Sequence, residues 1–314
     1  MYRELEAAGL GVTLAAVVEP DPGLAAEAAA KYGIHVFSTV EELLRADLGL
    51  HAASVAVPTL QHHAVGAQLL EAGLDLLIEK PLAANLTEAD DLIARADRNG
   101  RILQPGHLER FNPAVLAIEP KLRRPMFFEA HRLSVFTPRS LDVDVVLDLM
   151  IHDLDIVLIF AGSPVREVRA VGLPILSPKV DIANVRVEFE SGCVANFTAS
   201  RVSTERVRKL RFFEPRRYVS IDYARRDLLV IAIDPSASAG AGPAPGLSFA
   251  KPEVAPGEPL RLEIEAFLDA VRTHRPPRVT ARQGREALAL ALEIQAQMAA
   301  HADRAGLTDF FEPN

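Results

Sequence analysis

The chain has 314 residues, 49% of them hydrophobic and 24% charged, which sets an expectation of two globular domains around a sizeable core. A formal net charge of −8 argues against a nucleic-acid surface, and the single cysteine, Cys193, excludes an internal disulfide and points to a reducing compartment. The opening Met1-Tyr-Arg-Glu-Leu-Glu does not read as a signal peptide, and no apolar run reaches the ~20 residues of a bilayer span, so the expectation is a cytoplasmic protein without a membrane partner.

Residues 12–107 alternate strand and helix patterns. Short apolar runs at 12–18, 35–37, 52–57, 76–78 and 102–104 read as buried strands. Between them, 24–31, 40–45, 61–72 and 88–98 read as helices. Ser38 with Glu41, and Thr87 with Asp90, are spaced as capping boxes, and Gly33, Gly73 and Gly100 stand where helices should stop. This alternation predicts an α/β fold with a Rossmann-like, doubly wound parallel sheet.

The glycine fingerprint of such a sheet is absent. A dinucleotide site uses a first strand and a G-x-G-x-x-G turn about 20 residues before the acidic residue that holds the ribose. Glu19, at the end of the 12–18 run, fits that acidic position, although a solvated acid in a Glu-Pro-Asp-Pro turn would look the same. A carboxylate there accepts ribose hydroxyls and repels a 2′-phosphate, which favours NAD over NADP. Gly9 and Gly11 lie directly before that strand and cannot form the loop, while residues 2–8 read as the end of a helix. Either Met1 is an internal methionine of a longer chain, or the first strand has been lost together with cofactor binding. The first is favoured, because removing a central strand would leave two unpaired edges facing each other.

Three later features carry chemistry. Asp75–Ile78 runs into Glu79-Lys80-Pro81-Leu82, which sets an ammonium at the carboxyl edge of the sheet, where open α/β folds bind ligands. The proline holds Lys80 extended. Gly106-His-Leu-Glu-Arg-Phe-Asn-Pro113 then marks a domain crossing, with Arg110 and Glu109 open to reading as a structural ion pair or as a substrate contact. Residues 144–160, DVVLDLMIHDLDIVLIF, suit a helix buried nearly all round, with Asp148, His152 and Asp155 at i, i+4, i+7 on one face. A carboxylate and an imidazole so placed form an orienter-plus-base pair, or else a buried polar network. No further ligand cluster accompanies them, so no metal site is expected.

Beyond this helix, 126–134, 168–173, 183–190, 195–202, 207–213, 218–223 and 228–233 read as a large, mostly antiparallel sheet. Residues 234–259, rich in Ala, Gly, Pro and Ser, read as a mobile loop, and 262–272 and 285–300 as closing helices. Cys193 reads as a small buried hydrophobe in a hairpin. Residues 201–227 carry nine basic side chains against four acidic ones, which suits a solvated strand face, a subunit interface or an anionic substrate.

Glu79-Lys80-Pro81 followed by Asp148-x-x-x-His152, with the intervening units in order, resembles the Gfo/Idh/MocA family of NAD(P)-dependent sugar dehydrogenases over essentially the whole chain. The resemblance implies a nucleotide-binding domain at 1–107 and an α+β domain at 108–314 whose open-faced sheet serves substrate binding and homo-oligomerisation. It implies catalytic roles for Lys80, Asp148 and His152, and NAD contacts from Glu19, Pro58, Thr59, His62, Glu79 and Lys80. His62 and His63 would otherwise pass for an ordinary exposed pair. Substrate contacts fall to His107, Arg110, Asn112 and Asp155. Within the family, the segments at 107–113 and 148–155 look most like the branch that oxidises UDP-N-acetylglucosamine at C3 for lipid A biosynthesis. Dehydrogenation of inositol or a free sugar, and a cofactor-free binding protein that keeps the fold, are the alternatives.

Overall fold

The computed structural model describes residues 1–137, 143–233 and 246–307. They divide into two units, Met1–Gly106 with Leu260–Arg282, and His107–Pro259 with the chain from Gln283 onward.

In the first unit the elements run α1 (Tyr2–Ala7), β1 (Ala16–Val18), α2 (Pro22–Tyr32), β2 (His35–Phe37), α3 (Val40–Arg45), β3 (Ala52–Val55), α4 (Thr59–Glu71), β4 (Asp75–Glu79), α5 (Leu86–Asn99) and β5 (Leu103–Gly106). Every strand pair is parallel, as the alternation predicts, but the sheet is in two pieces, β1-β2 and β3-β4-β5. No ladder joins β1 to β3, and residues 2–7 are helical. β1 starts at Ala16 instead of residue 12, because its one ladder partner, β2, is three residues long. β4, flanked on both sides, is buried at its first four positions. Both capping boxes form, shifted from the expected residues. Thr39 Oγ1 accepts from Glu42 N while Glu42 Oε2 accepts from Ser38 N, and Asn85 Oδ1 accepts from Glu88 N while Glu88 Oε2 accepts from Ala84 N. Such caps contribute about 1 kcal/mol each. Gly33 and Gly100 end α2 and α5 in the left-handed conformation.

The helix α8 (Pro259–Thr273) belongs with this unit, contrary to a single cut at 107/108. Its amphipathic face packs Ile264, Phe267 and Leu268 against Leu5 and Leu77. That burial of apolar area outweighs sequence distance.

The second unit holds an eight-stranded sheet among the described residues, ordered β13-β12-β11-β10-β6-β9-β8-β7. Its strands are β6 (Phe127–Leu133), β7 (Val165–Leu173), β8 (Ile182–Phe189), β9 (Val194–Ser200), β10 (Val207–Glu214), β11 (Arg217–Asp222), β12 (Asp227–Ile233) and β13 (Leu247–Ala250). All pairings are antiparallel except β6 with β9. One face carries the core, with α6 (Pro113–Ile118), α7 (Ile151–Ala161) and α9 (Ala281–Ala305) packed on it through Ala114, Leu154, Val157, Ile294 and Met298. The mobile-loop expectation fails at 247–250, which pair with β12 as an edge strand; its 234–245 part lies outside the described residues. Cys193 is buried, and burial pushes its thiol up to about 11, so it is packing and not a nucleophile. The basic stretch is matched along the sheet, by Arg217–Glu214, Lys209–Asp222 and Arg211–Glu129.

Arg201 leaves that stretch altogether. It is buried and donates from Nε to Asp181 Oδ1 at 2.7 Å, from Nη1 to Val143 O at 2.9 Å and from Nη2 to Ser177 Oγ at 3.1 Å. Asp181 Oδ2 also accepts the backbone N–H groups of Ile175, Leu176 and Ser177. Burial would raise the Asp181 carboxyl, but the hydrogen bonds from Ser177, Leu176, Arg201 and Ile175 outweigh it and hold the group well below the carboxylate range. A depressed carboxyl stabilises the fold above its unfolded pKa of about 3.9 and loses that contribution as pH falls below it. Asp181→Asn, which strands a buried guanidinium, is expected to cost about 3–5 kcal/mol in urea unfolding at pH 7. The deficit should shrink below pH 4.

Candidate active site

In the first unit Glu19, Pro58, Thr59 and Lys80 follow the carboxyl ends of their strands, Glu79 is the last residue of β4, and His62 lies within α4. Glu19 ends the β1 turn; its N–H donates to Phe37 O at 2.9 Å and its Oε1 accepts from Asp21 N at 2.9 Å. Pro58 precedes the first turn of α4, which begins at Thr59, and Pro58 O accepts from Gln61 N at 2.8 Å. Glu79 closes β4 and is exposed, whereas Lys80 is half-buried and enters a cis Lys80–Pro81 bond. Gly106, across the ladder from Glu79, sits so close that an added Cβ would lie 3.1 Å from Glu79 Cα and 3.3 Å from Ile78 O, so a larger residue there would crowd this strand end.

His62 is 1% exposed, unlike an ordinary surface histidine. Its Nδ1 is 2.8 Å from Pro81 O and its Nε2 is 2.9 Å from Val57 O, so both ring nitrogens meet backbone carbonyls. His63 stays on the outer side of α4 and reaches Asp91 Oδ2 at 2.6 Å.

Asp148 and His152, the expected carboxylate and imidazole, lie in the second unit. The expected continuous α-helix begins instead with a π-helical turn, Val146–Met150, that runs into α7. Such i→i+5 turns recur at functional sites and leave no signature in apolar periodicity. Asp144 starts it, with Oδ1 accepting from Val146 N and Leu147 N and Oδ2 from the Gln295 amide of α9. Asp148 lies in the π-turn and His152 in the first turn of α7, both half-buried. Asp155 departs from them: it is 2% exposed, with Arg110 Nη1 at 3.7 Å and His107 Nδ1 at 3.9 Å. Asn112 spends its side chain on the chain itself. Its Oδ1 caps α6 at Ala114 N, and its Nδ2 donates to Tyr223 O and Glu109 Oε2.

Glu109 does not pair with Arg110. Its partner is Arg132, which donates Nη1 to Glu109 Oε1 at 3.1 Å and Nε and Nη2 to the two oxygens of Asp153 at 2.8 and 3.1 Å. All three are buried, and the guanidinium lies 5.2 Å from the centre of the Tyr223 ring. Burial alone would lower the Arg132 guanidinium, but Asp153 and Glu109 outweigh it and the net direction is upward. The buried Tyr223 hydroxyl is pushed up as well, by burial first and then by Asp153 and Glu109. This network has one sequence signal, an arginine at an inward position of the alternating strand Phe128, Ala130, Arg132.

The strand-end acid, the half-buried lysine and the α4 turn suit the ribose and nicotinamide ends of a dinucleotide. The 314 residues contain no G-x-G-x-x-G fingerprint for the pyrophosphate. Among the described residues no helix is long and apolar enough to cross a membrane.

Two family models match the chain. Residues 2–107 match the oxidoreductase family NAD-binding Rossmann fold, and residues 116–214 match the GFO/IDH/MocA C-terminal domain. The chain is 38% identical over 295 residues to UDP-N-acetylglucosamine 3-dehydrogenase of Acidithiobacillus ferrooxidans, covering 93% of this chain and 91% of that protein. A solved structure of the same enzyme superposes with a TM-score of 0.86 at 35% identity, over 95% of this chain and 93% of the other. The scyllo-inositol 2-dehydrogenase (NAD(+)) of Bacillus subtilis is 26% identical over 62% of this chain and 61% of its own length. Levoglucosan dehydrogenase, solved with NADH and L-sorbose, shares the fold at a TM-score of 0.79 and 19% identity, over 91% of this chain and 87% of that one. With both halves of its architecture and its strand-end Glu-Lys-Pro accounted for, the chain is an oxidoreductase that belongs to the Gfo/Idh/MocA family.

Proposed function

We propose that this protein is an NAD-dependent dehydrogenase of a nucleotide sugar, oxidising the C3 hydroxyl of UDP-N-acetylglucosamine to a ketone. The observation that carries this reading is the 38% identity to an enzyme of that name across more than nine-tenths of both chains. His152 takes the hydroxyl proton, and Asp148, four residues earlier, orients the imidazole. Lys80 donates to the reacting oxygen and steadies the charge that grows there. NAD, when bound, supplies the redox chemistry by accepting the hydride. Glu19 selects it over NADP by accepting from the ribose hydroxyls, and Pro58, Thr59 and Glu79 border the nicotinamide end. His107 and Arg110 form a buried charged patch with Asp155 of α7, and Asn112 fixes the turn that carries His107 and Arg110; their burial favours shaping the substrate wall over direct contact with sugar hydroxyls. The exposed side chains Val171, Leu173, Ile233 and Phe249 make the open sheet the surface for a second copy of the chain.

Nicotinamide reduction followed at 340 nm should proceed with UDP-N-acetylglucosamine and NAD, and stay at least about tenfold slower with myo-inositol, free N-acetylglucosamine or NADP. A preference for inositol would move the protein to another branch of the family. Tight sugar binding with no reduction by any pair would support a binding protein on the same fold.

A further inference from the structure

We propose that His62 is a positioning residue: one buried imidazole that brackets the two strand-end turns of the first unit and thereby fixes where Lys80 stands. The inference rests on the reading of Lys80 as the group at the reacting oxygen. Val57 O belongs to the residue just before Pro58-Thr59, and Pro81 O to the residue just after Lys80. The ring lies between them, within 2.9 Å of both, from a single position one turn into α4. No backbone ladder can do this work, because β3 ends at Val55 and β4 at Glu79, so both turns lie beyond the last paired residues. Lys80 carries its ammonium on a four-carbon stem, so where its backbone stands sets where that stem begins.

The chemistry of the contacts is specific. Both partners are carbonyls, which only accept; the nitrogen that carries the proton donates to one of them, and the planar ring sets its two nitrogens within 2.9 Å of both turns at once. Asparagine and glutamine carry their donors on one nitrogen and can reach only one of the two carbonyls. Phenylalanine, a somewhat larger ring with no polar atoms, reaches neither. The side chain offers no exposed face to a ligand, so its effect on catalysis passes through the turns it holds.

The test compares His62→Phe and His62→Gln in the whole chain, by hydrogen exchange and by kinetics. Exchange in peptides covering residues 56–61 and 80–84 should quicken together in His62→Phe, by about tenfold, and His62→Gln should restore protection at one of the two turns. In His62→Phe, kcat should fall by about 10–100-fold, the cost of a misplaced group, with the sugar KM held within about twofold. In a Lys80→Met background the same substitution should cost almost nothing further, since the two act as one unit. Faster exchange confined to α4, or an undiminished loss in the Lys80→Met background, would overturn the proposal. If Lys80→Met itself retains full activity, the reading of Lys80 fails, and the paired exchange response alone decides whether His62 brackets the turns.

Discussion

Replacing His152 with asparagine is expected to lower kcat for sugar oxidation by about 10²–10⁴-fold while leaving the fold intact. The side chain is half-buried in the first turn of α7, and its neighbours Ile151, Asp153 and Leu154 are the ones that enter the interior. Removing the imidazole therefore takes away a proton acceptor without opening the core. Asparagine keeps a hydrogen-bonding tip of similar reach but cannot take the hydroxyl proton near neutral pH. Lys80→Met should act at the same step by a different route, by removing a donor to the reacting oxygen, with a loss of about 10²–10³-fold. Steady-state kinetics on both variants, with melting curves as the control, checks this. A His152→Asn variant with near-parental kcat would remove the general base from the account.

A large effect on stability is expected at Arg132. Replacing it with methionine should destabilise the second unit by about 3–5 kcal/mol, because it leaves two buried carboxylates, Glu109 and Asp153, without their shared counter-charge. The arginine joins three elements: its own strand β6, the 3-10 turn Leu108–Phe111 and the helix α7. Its loss would loosen the helix that carries His152 along with the fold. Much of the cost comes from the stranded charges, not from the lost bonds. The triple variant Arg132→Met, Glu109→Gln, Asp153→Asn should therefore recover part of it. Urea unfolding of the single and triple variants measures both. Equal stability of Arg132→Met and parent would show that the network contributes nothing net.

Much of this was legible from the sequence where one local signal sufficed. The strand-end Glu79-Lys80-Pro81, the parallel alternation and the Asp148/His152 spacing each follow from periodicity and turn chemistry within a dozen residues. Caps were found at the right helix starts but on neighbouring residues, because Ser38 and Thr39, or Asn85 and Thr87, are all competent acceptors and only backbone geometry chooses between them. What depended on distant partners was not legible. Arg132 meets Asp153 across 21 residues and Glu109 across 23, and α8 returns to the first unit from the far end of the chain. The π-turn escaped because a one-residue insertion leaves the apolar run unchanged. His62 resembled a surface histidine because its partners are backbone carbonyls, which carry no residue-type signal at all.

The central claim, that this chain removes a hydride from the sugar, is tested most directly with UDP-N-acetylglucosamine deuterated at C3 and unlabelled NAD. Mass spectrometry of the recovered nucleotide should show one deuterium in the reduced nicotinamide and a keto sugar of matching amount, with turnover slowed when the deuterated substrate is used. Deuterium that stays on the sugar, or is lost to water without reduced nicotinamide, would contradict it.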